Sequence, residues 1–459
     1  MLQHAKIHEG LGFDDVLLVP AESNVKPGQI STKTRLTKTI ELNIPLISAG
    51  RDNVTESAMA IAMAHLGGLG IIHNNMTLGK QVEEVRRVKR AEGNIVRNPI
   101  TISPEASVAE AMDLMTTYKI SGLPVVDRAQ KVVGILTHRD IRFFEDYAKP
   151  VSELMSKEVI KTNADVGLQH AKQLMHQHRI EKLVLVDSED RCVGLITVKD
   201  IDKLSRWPNA ARDQHGRLRV GAAVGLGKDA VDRTAAMTDA GLDVVFIDMA
   251  HAHSREALGT VSHIRQQRTT DVQIIAGNVV TPEAARSLVD AGADAVAVGI
   301  GAKELSASRR IAGVGMPQLK AILDVVEQCQ MMSTPVIVDG GIYGPADLAK
   351  AIGAGAESVI IGWLFSGSDE APGEIVQYNG NVYKVVNPTA KPQHRPPYSS
   401  APSSDPCRLD DDLPDTSIPY RGSVEHMVNY LVKGLKAAMA YTGSEDIRDL
   451  IEKAEFVKK

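Results

Sequence analysis

The sequence predicts an α/β protein built on a closed (β/α)8 barrel of the TIM type, and three observations point there. Eight short apolar runs, at 44–48, 68–73, 218–224, 244–248, 272–277, 295–298, 335–339 and 358–362, alternate with helical patterns. The runs are short and apolar throughout, as strands covered on both faces are. Several run into polar or glycine clusters, among them Asp248-Met249-Ala250-His251, Gly277-Asn278 and Asp339-Gly340-Gly341. Barrel enzymes place their sites at such carboxyl ends. A doubly wound open sheet uses the same units and is the alternative on pattern alone.

Between the second and third runs a repeat interrupts the barrel. Residues 121–127 and 134–141 recur at 181–187 and 194–201, an offset of 60 residues, so one supersecondary unit is duplicated. The expected organisation is barrel over 1–93, a module pair over 94–206 (94–149 and 150–206), and barrel again over 207–459. Each module carries a threonine with an aspartate three residues on, Thr137 with Asp140 and Thr197 with Asp200. That spacing caps a helix start, because the hydroxyl accepts an orphan N–H and the acid complements the helix dipole.

The sixth run leads into the longest informative stretch, Gly299 to Gln318, a strand-to-helix connection containing Gly299, Gly301, Gly313 and Gly315. Loops of this length in an α/β unit are usually functional, since glycines let backbone groups approach a ligand or ion closely. Past the eighth run, Tyr378-Asn379-Gly380-Asn381 signals a hairpin, and proline-rich chain follows it.

A length of 459 residues, 43% hydrophobic and 24% charged, suits one large domain and a smaller one. A net charge of −5 gives no reason to expect nucleic acid or an anionic membrane surface as partner. The start has no apolar signal core, and no apolar stretch reaches the ~18 residues of a membrane span, so a cytoplasmic protein is expected. Cys192, Cys329 and Cys407 are odd in number and widely spaced, which suggests neither a disulfide framework nor a metal cluster.

Gly299-Ile300-Gly301 with Ala312-Gly313-Val314-Gly315-Met316-Pro317-Gln318 resembles the catalytic loop of the inosine monophosphate (IMP) dehydrogenase and GMP reductase family. The likeness extends to Gly12-Phe13-Asp14-Asp15-Val16, to Gly67-Gly68-Leu69-Gly70-Ile71-Ile72-His73 and to Glu370-Ala371-Pro372-Gly373-Glu374. It implies that the inserted repeat is a tandem pair of cystathionine β-synthase-type (CBS) modules. In these, Thr137, Asp140, Thr197 and Asp200 would hold an adenine or guanine nucleotide; capping and ligand binding can coexist.

For the barrel, the resemblance implies that Asp339, with Gly340 and Gly341, holds the ribose of a purine nucleotide. It implies that Asp248 and Asn278 line the side where NAD or NADP binds, and that Gly299, Gly301 and Ser306 offer backbone carbonyls to a monovalent cation such as K+. Oxidoreductase chemistry on a purine nucleotide follows, and a homotetramer or larger assembly. The departures are local. Ser306 stands where the family has its nucleophilic cysteine, with Ser308 and Arg309 on the positions of the following threonine and arginine. A thiol ionises near neutral pH whereas a serine hydroxyl needs a dedicated base, so Ser306 reads as a polar contact.

Glu304 replaces a phosphate-binding serine, and a carboxylate near a dianion repels it. Trp363, after Gly362, replaces another small residue at the phosphate. Arg51 adds a cation after the first strand, serving either a relocated anion or only solvent. In the flap region, about 366–420, no adjacent Arg-Tyr pair survives as water activator; Arg395 and Tyr398 are the stand-ins. The base-contacting acid falls on Asp412. Two readings follow: a purine-nucleotide oxidoreductase with altered chemistry, or a catalytically inactive nucleotide-binding paralogue with a regulatory or assembly role.

Overall fold

The computed structural model describes residues 7–91, 96–97, 99–118, 120–163, 166, 168–198, 201, 206–267, 271–302, 308–385 and 417–459. Eight parallel strands close on themselves: β1 (Leu46–Ser48), β2 (Leu69–Ile72), β3 (Gly221–Val224), β4 (Val244–Asp248), β5 (Gln273–Val279), β6 (Ala295–Val298), β7 (Val336–Asp339) and β8 (Ser358–Ile361). Ile360 of β8 lies opposite Ile47 of β1, and Ile71 of β2 opposite Gly221 of β3, so the sheet has no edge. This is the expected closed barrel and not an open sheet. Its interior is packed solid by Ile47, Leu69, Phe246, Ile275, Ile337 and Ile360, all buried. A ligand therefore has room only at a mouth.

Helices α1 (Ser57–His65), α2 (Leu78–Ala91), α3 (Gly227–Asp239), α4 (Arg255–Gln266), α5 (Pro282–Ala291), α6 (Gln318–Met331), α7 (Pro345–Gly353) and α8 (Val424–Tyr441) surround it. Their starts are set locally. The Ser254, Thr281 and Ser423 hydroxyls accept the N–H groups of Ala257, Ala284 and Glu425, and Pro282 begins α5 where no intrahelical N–H is needed. The helices α1 and α3 to α7 return the chain to the amino end of the next strand, which leaves the strand-to-helix loops together at the carboxyl mouth.

The chain divides into two compact units, the barrel unit and a second one of residues 92–208 with 214–217. The second unit contains the repeat as two hairpins in the same register. Gly122 faces Thr137 in one, Lys182 faces Thr197 in the other, and both carry a bulge before the last pair, at Val126 and Val186. Both turns put a non-glycine residue in left-handed backbone, Gln130 at φ 64° and Asp190 at φ 66°. The two hairpins share a small apolar core of Val126, Val132, Val184 and Leu195.

The expected Asn-Gly hairpin forms from Glu374–Tyr378 and Asn381–Val385, with Asn379 and Gly380 at φ 47° and 78°, a turn of the kind whose twist suits antiparallel strands. The buried Lys384 amine ties it down, donating to the Ser368 and Asp369 carbonyls at 2.6 and 2.9 Å.

Candidate active site

The carboxyl ends of β5, β6 and β7 are locked together by two amides. Asn278 Nδ2 spends one hydrogen on the Gly299 carbonyl and the other on Asp339 Oδ2, both at 2.8 Å. Gln318 Nε2 donates to the Val298 carbonyl at 2.9 Å. Gly299, at φ 153°, makes this possible, because a Cβ there would run into the Asp339 carbonyl oxygen. The Asp339 carboxylate is thus aimed before any ligand arrives. Both amide oxygens, Asn278 Oδ1 and Gln318 Oε1, are buried with no hydrogen-bond partner among the described residues. A buried orphan acceptor costs about 1–3 kcal/mol, and the one beside Asp339 suits a hydroxyl donor.

Asp248 ends β4 beside this group. Burial, then the nearby Asp339 carboxylate, push its pKa up to about 7, and Arg51 partly counters them. Below that pH Asp248 keeps its proton, which relieves its repulsion with the Asp339 carboxylate. The stability consequence has a definite sign. An unfolded Asp248 releases its proton near its ordinary 3.8 while the folded one keeps it to about 7, so this group's contribution is full below 3.8 and lost as pH rises through 7. Asp248→Asn is expected to raise the melting temperature more at pH 8 than at pH 5, read by thermal unfolding at both. An equal gain at both values would show that the carboxyl ionises freely in the folded protein.

The long loop after β6 is pinched at its neck. Gly301, at φ 66°, and Gly315 face each other so closely that a Cβ on either would stand 2.8 Å from the other's Cα, and the Met316 N–H donates to the Ile300 carbonyl at 2.9 Å. Beyond the neck, Ser308 and Arg309 open the π-helical turn Ser308–Ala312, which sequence patterning did not anticipate. Glu304 and Ser306 lie outside the described residues, as do Asp200, Arg395, Tyr398 and Asp412. Neither described cysteine offers a nucleophile to the mouth. Cys329 is buried in α6 with burial pushing its thiol up to about 12, and Cys192, in the second unit, is pushed up to about 11.

Comparison with known proteins bears on what this mouth descends from. A family model described as IMP dehydrogenase / GMP reductase domain matches residues 10–459. The chain therefore belongs to the IMP dehydrogenase/GMP reductase family. It is 47% identical over 462 residues to the inosine-5'-monophosphate dehydrogenase of Aquifex aeolicus, covering 99% of this chain and 94% of that one. It is 45% identical to that of Bacillus subtilis, covering 98% and 93%. Among solved structures, a GMP reductase variant of Trypanosoma brucei in complex with guanosine 5'-monophosphate matches with a TM-score of 0.83 at 33% identity, covering 99% and 96%. The same organism's GMP reductase in complex with guanosine 5'-triphosphate matches at 0.78 and 33%, covering 99% and 98%.

After β8, Gly362 leads into the short helix Trp363–Ser366, and the indole is 45% exposed. The Arg421 guanidinium lies over it, 4.0 Å from the ring centroid. Sequence reasoning gave Arg421 no role, and only its place in Pro419-Tyr420-Arg421-Gly422 hinted at one. Gln318 was likewise missed, although it closes the glycine loop. Gly340 and Gly341 hold φ 89° and 80° after Asp339, and nothing lies within 4 Å of a Cβ at Gly340, so the turn keeps open space above it. The Gly299 carbonyl, expected to face a monovalent cation, accepts from Asn278 Nδ2.

In the second unit, the Asp140 carboxylate takes both the backbone N–H and the hydroxyl of Thr137, each at 2.7 Å. The carboxylate thus caps the Thr137 N–H at the start of the helix His138–Ile141, while the hydroxyl, expected to accept a helix N–H, donates to Asp140 instead. The same pair lines a cleft of about 270 Å³ with His138, Arg139, Arg179 and Lys182. Thr197 ends the matching strand. No helix among the described residues is long and apolar enough to cross a membrane.

Proposed function

We propose that this chain is a purine-nucleotide oxidoreductase that works with NAD or NADP through an altered active site. The observation that carries the reading is the Asp339 carboxylate, pre-aimed by Asn278 at the end of β7 and followed by two left-handed glycines. A carboxylate so held accepts two ribose hydroxyls, and the N–H groups of Gly340 and Gly341, which have no backbone partner among the described residues, suit the anionic side of a nucleotide. Relatives named for IMP dehydrogenase and structural neighbours holding guanine nucleotides supply the substrate class. A bound nicotinamide would give or accept a hydride. Asp248 and Asn278 Oδ1 fit the hydroxyls of the ribose attached to such a group, one as an acceptor tuned near neutrality and the other as an acceptor with no donor among the described residues.

The test is absorbance at the reduced nicotinamide band with IMP, GMP and a panel of purine analogues, run with both cofactors in both directions. Turnover of any purine nucleotide supports the reading, and silence across the panel overturns it. Silence would favour the second reading, an inactive nucleotide-binding paralogue with an assembly or regulatory role, for which Ser306 in place of a cysteine is the specific support.

Ser306→Cys alone is expected not to create IMP dehydrogenase activity, because Trp363 and Arg51 alter the phosphate side and no adjacent Arg-Tyr pair stands in the flap segment. IMP turnover restored by that one substitution would show that the thiol was all that was missing. The same proposal extends to a CBS-type module pair binding an adenine or guanine nucleotide between Thr137 and Lys182, to assembly as a tetramer or larger, and to a cytoplasmic location.

A further inference from the structure

One motif of the sequence has no part in the reading above. Gly12-Phe13-Asp14-Asp15-Val16 precedes the first barrel strand, yet it runs behind the Asp339 turn. A Cβ on Gly341 would stand 3.6 Å from Cε2 of the buried Phe13 ring and 3.5 Å from Cγ of Gln318, while a Cβ on Gly340 would meet nothing within 4 Å. The turn is thus open at Gly340 and walled at Gly341.

The wall matters because the turn cannot hold its own shape. Gly340 and Gly341 both sit in left-handed backbone, and glycine exchanges between the two signs of φ at little cost. Whatever packs against them sets the direction of their N–H groups and of the chain leaving Asp339. Gln318 supplies the polar half of that wall, since its amide is committed to the Val298 carbonyl. Phe13 supplies the apolar half.

Phe13 is itself held in place. The buried Lys350 amine of α7 donates to its carbonyl at 2.9 Å, a charge-assisted bond. Two residues earlier, the Leu11 carbonyl accepts the Lys320 N–H at 3.1 Å, in the first turn of α6, which has no side-chain cap of its own. Just after it, Val16–Leu18 pairs antiparallel with Phe456–Lys458, and the Lys459 N–H donates to the Asp15 carbonyl at 2.9 Å. Segment 10–18 is therefore a strap fastened to α6, to α7 and to residues 456–459, with Phe13 pressed on the glycine turn.

We propose that Phe13 is a positioning residue for the Asp339–Gly341 turn: it fixes the ribose acceptor and the two glycine N–H groups for a purine nucleotide, acting through the turn, while Lys350 holds Phe13 in register. This rests on the proposed function, in which Asp339 takes the ribose hydroxyls.

The experiment uses the full-length protein and calorimetric titration with GMP and 2′-deoxy-GMP, with circular dichroism to confirm that each variant is folded. 2′-Deoxy-GMP lacks one of the two ribose hydroxyls, so the parent is expected to bind it about tenfold or more weakly than GMP. Phe13→Ala is expected to weaken GMP about tenfold while leaving 2′-deoxy-GMP within about threefold, so that the preference shrinks. Phe13→Met, which restores an adaptable apolar wall, should recover most of that preference. Lys350→Met, which strips the Phe13 carbonyl of its donor and keeps the ring, is expected to lower the preference about threefold, and it decides the matter if Phe13→Ala does not fold. A side chain that served stability alone would weaken both ligands by the same factor.

An unchanged preference for GMP in the folded variants, or an equal loss of both ligands, would overturn the positioning role and leave the nucleotide reading intact. A parent protein that binds the two ligands alike, or binds neither, would overturn both.

Discussion

Asp339→Ala is expected to lower the affinity for a purine nucleotide about a hundredfold or more, measured by calorimetry with GMP or IMP. Each hydrogen bond to a charged acceptor is worth about 1.5–3 kcal/mol, and Asp339 would provide two to the ribose. The truncation also leaves Asn278 Nδ2 with one partner, the Gly299 carbonyl, in place of two. A second readout separates recognition from damage. Removing the carboxylate takes away the like charge beside Asp248, so the Asp248 pKa should fall from about 7 toward its ordinary value while the barrel stays folded. Nucleotide affinity within about threefold of the parent would sink the assignment of Asp339 as the ribose acceptor.

Gly299→Val is expected to destabilise the protein by about 3 kcal/mol or more, read from denaturant unfolding, and to abolish nucleotide binding with it. Two costs add. The backbone sits at φ 153°, which a branched residue tolerates poorly, and the new Cβ meets the Asp339 carbonyl rather than the end of a flexible side chain. To make room, β6 must draw away from β7, which breaks the Asn278 and Gln318 ties. Gly340→Ala is the control. Gly340 has φ 89° but nothing within 4 Å of a Cβ, so only conformational strain of about 1 kcal/mol is expected. If the two variants behaved alike, the close crossing of Gly299 over Asp339 would not be what holds the mouth together.

Much of this molecule is legible from sequence because its signals are local. A strand buried on both faces must be apolar throughout, and runs such as 295–298 and 358–362 needed no partner to be recognised. The duplicated hairpin was visible because the same turn and bulge demand similar residues 60 positions apart, and both copies fold in one register. Asn379-Gly380 marked its own turn through left-handed backbone. Asp339 was legible as the end of a strand because it heads two glycines, and both take left-handed backbone.

What was not legible depends on groups far apart in the chain. Arg421 and Trp363 meet only because the segment after the hairpin returns to the end of β8. Nothing in either residue's neighbours announces the other. Gln318 reads as an ordinary first residue of a helix until β6 and β7 are placed beside it.

The sequence by itself determined the barrel, the inserted repeat and the ancestry, since each is written in short-range pattern or residue identity. Only the tertiary structure decided that Asp248 and Asp339 share a mouth, where the Asp339 charge helps raise the Asp248 pKa, that Asn278 aims Asp339, and that the Arg421 guanidinium lies over Trp363. The physical reason is that charge interaction and hydrogen-bond geometry depend on distance through space, and barrel closure sets those distances among residues that the chain keeps far apart.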